Sequence, residues 1–134
     1  MKKFEAKTLR TEKVFEGKII SLQVDDVELP DGNMSKREIV KHPGAVAVIA
    51  ITPEEKILLV EQYRKPLDRS LLEIPAGKIE PNEDPEITAI RELEEETGYT
   101  TKGLQYITSF YTSPGFANEI IHIYYADQLQ MLEN

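Results

Sequence analysis

The chain has 134 residues, 40% of them apolar, and its 16 basic and 24 acidic side chains leave a net charge of −8. That length is one domain's worth, and the apolar share is enough to bury a core. The acidic balance argues against recognition of nucleic acid through its phosphates, and the lack of cysteine removes disulfides and thiol catalysis. No stretch reaches the roughly 18 apolar residues of a membrane span or forms a signal-peptide core, so the expectation is a cytoplasmic protein with neither nucleic-acid nor membrane partners.

In chain order, "GKIISLQVDDVELPDGNMSKREIVKH" reads as a β-hairpin. Ile20, Leu22 and Val24 alternate with polar residues, "PDGN" supplies turn chemistry and "SKREIV" returns. "GAVAVIAI" (44–51) is a continuous small and β-branched run suited to a strand covered on both faces. After the turn "PEEK", "ILLVEQY" (57–63) reads as a second buried strand. "RKPLDRS" is a polar loop, and "LLEIPAGKIEPNED" a short strand running into a loop punctuated by glycine and proline. Asp84 and Pro85 form an N-cap and first helical residue, and the helix runs to about Thr97 with Gly98 as a left-handed stop. "LQYITSFYT" and "EIIHIYYADQL" are two further strands joined by "SPGFAN".

This order predicts an α/β domain with a mixed sheet over residues 43–134, preceded by a small N-terminal antiparallel β appendage, residues 1–42. A single helix covers only one face of such a sheet. The expectation is therefore that the domain continues beyond Asn134 or that a partner chain covers the other face.

The acid is concentrated. Between Glu73 and Glu96 stand nine acidic residues against Lys78 and Arg91, and "RELEEETGY" (91–99) alone holds Glu92, Glu94, Glu95 and Glu96. Like charges three or four apart on a helix repel, so the run is either a solvated face or a seat for something positive. At about 100° per residue, Glu92, Glu95 and Glu96 share one sector, with Ile87, Ile90 and Leu93 expected on the core side and Glu94 at the rim. Carboxylates at this spacing supply the oxygen ligands and negative charge that a hard divalent cation requires. Arg91, one turn before Glu95, is in reach of Glu95 or Glu83.

The spacing Gly77, five residues, Glu83, seven residues, Arg91–Glu92, then Glu95–Glu96 and Gly98 resembles the Nudix box of nucleoside-diphosphate-X hydrolases, with all seven fixed identities present. Tyr99 is aromatic where the family more often has an aliphatic. The resemblance implies an α/β/α sandwich with a mixed sheet and a box that binds magnesium or manganese. By position, Glu92 and Glu96 would be the chief metal ligands, joined by Glu95 and the Ala76 carbonyl, while Arg91 and Glu83 would brace the loop against the helix.

Outside the box, "KREIVKHPGAVAVIAI", "VEQYR", "LLEIPAGKIE" and "SPGF" resemble ADP-ribose pyrophosphatases of that family. The implied reaction is metal-dependent hydrolysis of ADP-ribose to AMP and ribose 5-phosphate. The alternatives are another nucleotide sugar such as GDP-mannose, or a non-catalytic ADP-ribose binding module. Under this resemblance Pro114 and Gly115 belong to a substrate loop and Arg64 offers a planar cationic fork to phosphate. Glu73 accepts ribose hydroxyls or assists the metal, and Arg37 lies on or near adenine across a homodimer formed by the exchanged appendage. His42 and His122 receive no role. The family's catalytic glutamate follows the strand at 119–126, and "DQLQMLEN" offers no counterpart, so the base is expected beyond Asn134 or missing.

Overall fold

A computed structural model describes residues 3–133. The chain divides into two compact units: residues up to Pro43 together with Tyr111–Glu119, and Gly44–Phe110 together with the residues from Ile120 onward.

The first unit is a three-stranded antiparallel sheet, β1 (Lys7–Glu16), β2 (Ser21–Glu28) and β3 (Met34–Lys41), in the order β1-β2-β3. The expected β2–β3 hairpin is present. Its tip closes with Gly32 at φ 88°, and the Asn33 N–H donates to the Asp31 carboxylate at 2.9 Å. The expectation of a lone hairpin is corrected by β1, a third strand. Every β1 residue is exposed, and its pairing with β2 slips between Thr8 and Arg10 and between Lys13 and Phe15. Those irregularities break the two-residue period, and there is no inward face to create contrast. The segment Tyr111–Glu119 belongs to this unit: the Phe116 carbonyl accepts the Val40 N–H at 2.7 Å, and the Val40 carbonyl accepts the Asn118 N–H at 3.1 Å.

The second unit follows with β4 (Ala45–Ala50), β5 (Val60–Arg64), β6 (Arg69–Glu73), β7 (Ala76–Lys78), α1 (Pro85–Thr97), β8 (Tyr99–Thr100), β9 (Gly103–Tyr111), β10 (Ile120–Asp127) and β11 (Gln130–Met131). Its main sheet has the order β7-β4-β10-β9. β4 runs parallel to β10, pairing Val46 with His122 and Ala50 with Ala126, and antiparallel to β7, so the sheet is mixed as expected. One face of β4 (Val46, Val48, Ala50) and of β10 (Tyr124, Ala126) packs with Ala89 and Leu93 of α1 and with Leu129. The alanines at 50, 89 and 126 let helix and sheet approach closely. α1 is the one helix among the described residues, and no described helix is long and apolar enough to cross a membrane.

Two local expectations are corrected. "ILLVEQY" is not one buried strand: β5 begins at Val60, and Ile57, Leu59 and Tyr63 are exposed. The reason is that β5 pairs only with β6, in a separate hairpin outside the main sheet. Ile87 does not face the core. It is 59% exposed, and the buried helix residues are Thr88, Ala89 and Leu93. The inner stripe is rotated by about one position, so Glu92 and Glu96 lie along its edge and not on the far face. Near the end of the described residues, Gln130 and Met131 pair with Thr100 and Tyr99.

Candidate functional site

The helix boundaries follow the expected chemistry. Pro85 opens α1, and Gly98 closes it at φ 75° with its N–H on the Glu94 carbonyl. Asp84 occupies the N-cap with extended backbone, but its side chain makes no capping bond. The neighbouring Glu83 organises the loop instead. Its carboxylate accepts the Glu80 N–H at 3.2 Å, the Thr88 hydroxyl at 2.7 Å, and both Nε and Nη2 of Arg91 at 2.9 Å. These donors, Arg91 first and Thr88 next, hold the Glu83 carboxyl down to about 2. Thr88 is fully buried and was not singled out from the sequence, although a threonine five residues after Glu83 on the inner stripe was the available signal.

Arg91 also reaches Glu92 at 2.8 Å and Glu95 at 3.4 Å through Nη1. Its guanidinium thus ties the loop carboxylate to the helix carboxylates, and Glu83 most of all drives its pKa upward. Glu95 is largely exposed, with 59% of its side chain open to solvent, against 13% for Glu92. Glu94 accepts the Thr100 hydroxyl at 2.7 Å, which links the helix to β8.

Glu92 and Glu96 are treated differently. Burial first, and then the adjacent Glu92 carboxylate, push Glu96 up to about 7, against a donated bond from the Ala76 backbone and the charge of Arg64. The Oε2 of Glu96 is buried and has no hydrogen-bond partner. A buried carboxylate oxygen without a donor is costly. Gly77 belongs to the same arrangement, because a Cβ at that position would collide with the Glu92 carboxyl group. The glycine leaves room for the carboxylate to lie against the loop.

The donor set fits a hard divalent cation: two facing carboxylates, one with an orphaned buried oxygen. Among the described residues, no group of three or more acidic or histidine side chains is gathered as a ready ligand cluster. The fit therefore rests on the Glu92–Glu96 pair.

Two further predicted residues lie in the same unit. Arg64 donates from Nε to Glu73 at 2.7 Å and from Nη2 to the other Glu73 oxygen, a bidentate fork. That bond lowers the Glu73 pKa and raises that of Arg64, whose charge and that of Glu96 also act on each other. Both Glu73 oxygens are thus engaged by a protein partner. In the other unit, Arg37, Pro114 and Gly115 line one cavity of ≈320 Å³ with Glu38, Ile39, Phe116, Ala117 and Asn118. Phe116 is 57% exposed there, and Arg37 bonds to Ser35 Oγ at 2.9 Å.

The chain belongs to the Nudix family: residues 41–133 match the NUDIX domain, and residues 7–40 match the nucleoside diphosphate sugar hydrolase N-terminal domain. The sequence is 64% identical, over 99% of this chain and 72% of the relative, to a Bacillus subtilis protein named ADP-ribose pyrophosphatase. It is 65% identical, with the same coverages, to the methanol dehydrogenase activator of Bacillus methanolicus. A crystal structure of an ADP compounds hydrolase shares the fold at a TM-score of 0.85 and 21% identity, over 97% of this chain and 71% of that one.

Proposed function

We propose that the protein hydrolyses the pyrophosphate bond of ADP-ribose, with magnesium or manganese at the box, to give AMP and ribose 5-phosphate. The observation that carries this reading is the Glu92–Glu96 pair, with a buried oxygen that no protein donor satisfies. A divalent cation, when bound, neutralises diphosphate charge and lowers the pKa of a bound water. Glu92 and Glu96 would hold it, with Glu95 and the Ala76 carbonyl in support. Arg91 keeps the glycine loop and helix in register through Glu83, a scaffold role. Arg64 receives a phosphate oxygen, Pro114 and Gly115 belong to a substrate loop, and Arg37 lies on or near adenine across a homodimer. Similarity to the Bacillus subtilis relative supports ADP-ribose as the substrate.

A second reading, another nucleoside diphosphate sugar such as GDP-mannose, is favoured by the match of residues 7–40 to a domain described for that wider class. The N-terminal appendage, residues 1–42, is proposed to join two copies as a homodimer. A small sheet whose outer strand is wholly exposed is only marginally stable alone and presents an open edge. The cysteine-free composition suits a reducing cytoplasm.

The test is product analysis. ADP-ribose incubated with magnesium should yield AMP and ribose 5-phosphate, and none after chelation. Conversion of GDP-mannose with ADP-ribose untouched would move the assignment to the second reading. Tight binding of ADP-ribose with no AMP at saturating metal would refute hydrolysis.

A further inference from the structure

The ion pair between Arg64 and Glu73 has an unusual reach. In the β5–β6 hairpin, Val60 lies opposite Glu73, and Arg64 lies opposite Arg69. Arg64 is therefore four residues along the strand from the residue facing Glu73, roughly 13 Å in a straight strand. Both side chains lie on the hairpin face that carries Gln62 and Leu71, since directly paired residues share a face. A fork bond between them requires the Arg64 guanidinium to run back along that face, away from the turn.

What lies at the far end gives this direction its meaning. Glu73 ends β6, and two residues later the carbonyl of the fully buried Pro75 accepts the Val48 N–H at 2.9 Å, fixing the entry to the box. Ala76 and Gly77 follow, and they touch Glu96 and Glu92. Drawn to Glu73, Arg64 comes within electrostatic reach of Glu96. Its Nε and Nη2 are committed to Glu73, and Nη1 is bonded to none of the described residues.

We propose that Glu73 is a positioning residue: it pulls the Arg64 guanidinium from the turn end of the hairpin to the box, where the uncommitted Nη1 meets a diphosphate oxygen. This rests on the functional reading above but assigns Glu73 no contact with ribose or metal. It also carries a sign that simple electrostatics does not. Removing a carboxylate beside an anionic ligand should tighten binding, whereas losing the anchor of a guanidinium aimed at that ligand should weaken it.

The experiment is a double-substitution cycle read by titration calorimetry, using the α,β-methylene analogue of ADP-ribose with magnesium. The P–C–P bridge of this probe cannot be hydrolysed, so affinity is measured apart from turnover. Arg64→Ala should weaken binding about 10- to 100-fold, the span of a lost charge-assisted bond. Glu73→Gln should weaken it about 5-fold or more in the native background and not at all beside Arg64→Ala, since coupled residues are non-additive. Glu73→Asp, which keeps the charge but shortens the arm, should fall between. Unchanged or tighter binding by Glu73→Gln overturns the proposal, as does equal weakening in both backgrounds, which would mean direct contact with ligand or metal. If Glu73→Gln fails to fold, Glu73→Asp decides: native affinity there overturns the proposal. A wild-type protein that binds the analogue but releases no AMP from ADP-ribose refutes hydrolysis and leaves this cycle intact. No binding by wild type refutes both.

Discussion

The two edges of α1 handle negative charge in opposite ways. On the edge met by the loop residue Glu83, that carboxylate is surrounded by donors: two nitrogens of Arg91, the Thr88 hydroxyl and the Glu80 amide. On the other, Glu96 faces a second carboxylate and keeps one buried oxygen with no donor at all. The two glutamates are thirteen positions apart in one acidic segment, yet one is held down to about 2 and the other pushed up to about 7. A carboxylate whose needs are met by the protein is architecture. One with a buried oxygen left unmet points to a partner supplied from outside. The comparison therefore separates scaffold from site within a single motif.

Substitutions can break that division, and the largest effect should come from its frustrated side. Glu96→Gln should lower turnover on the order of 10³-fold, the scale of losing a metal-assisted step worth several kcal/mol. The same change should stabilise the metal-free fold. The Glu96 pKa is raised in the folded chain from an ordinary 4.5 to about 7, so native stability is full below pH 4.5 and falls as pH rises toward 7. The glutamine variant avoids that loss, by about 1 kcal/mol at pH 8 after discounting for solvent screening and coupling to Glu92. Melting curves with chelator at pH 4 and pH 8 check the sign. A drop in Tm of equal size at both values would make Glu96 architectural. Next in size is Gly77→Ala. Its added methyl strikes the Glu92 carboxyl group, and because misplacing a functional group by about 1 Å can cost 10²-fold, kcat/KM should fall about 10- to 100-fold. Unchanged kcat/KM would show that Glu92 can move without consequence.

What was legible in the sequence divides along a similar line. β4 was readable because burial on both faces leaves an uninterrupted apolar run, and α1 because Pro85 and Gly98 mark its ends by backbone chemistry. β1 was not, since a fully exposed, twice-irregular strand has no period to detect. Neither were β8 and β11, two residues each, whose pairing joins segments far apart in sequence. The box motif was legible from its spacing, and the reach of Arg91 to Glu83 and Glu95 from helical geometry. Which glutamate would be starved of donors was not, because that follows from Gly77 bringing the loop against Glu92. Ile87 was assigned inward on helical periodicity alone, a phase that only the small residues of the sheet face could set. The Arg64–Glu73 fork joins opposite ends of a hairpin, and no local pattern encodes it.

The satisfied edge should yield smaller effects, on stability first and activity second. Arg91→Ala removes the shared partner of Glu83, Glu92 and Glu95. Stranding partly buried carboxylates in this way should lower Tm by roughly 10 °C, measured by calorimetry. If Tm holds and only kcat falls, Arg91 acts on substrate and the scaffold assignment fails.

Thr88→Val makes the finest cut. Valine keeps the shape of the fully buried threonine and removes one hydroxyl, the second of the donors that depress Glu83. A drop of about 3–5 °C in Tm at neutral pH is expected, the size of one lost bond to a charged group. Its pH dependence runs opposite to that of Glu96. With its pKa lowered from 4.5 to about 2, Glu83 contributes stability that is complete above pH 4.5 and lost as pH falls toward 2. The deficit of the valine variant should therefore be constant above pH 5 and shrink below it, while Glu96→Gln gains on wild type from pH 4.5 to 7. Two substitutions on one helix with mirror-image pH profiles would establish that the donors are shared unequally by design of the fold. Parallel profiles would mean that the two edges of α1 do not differ as described.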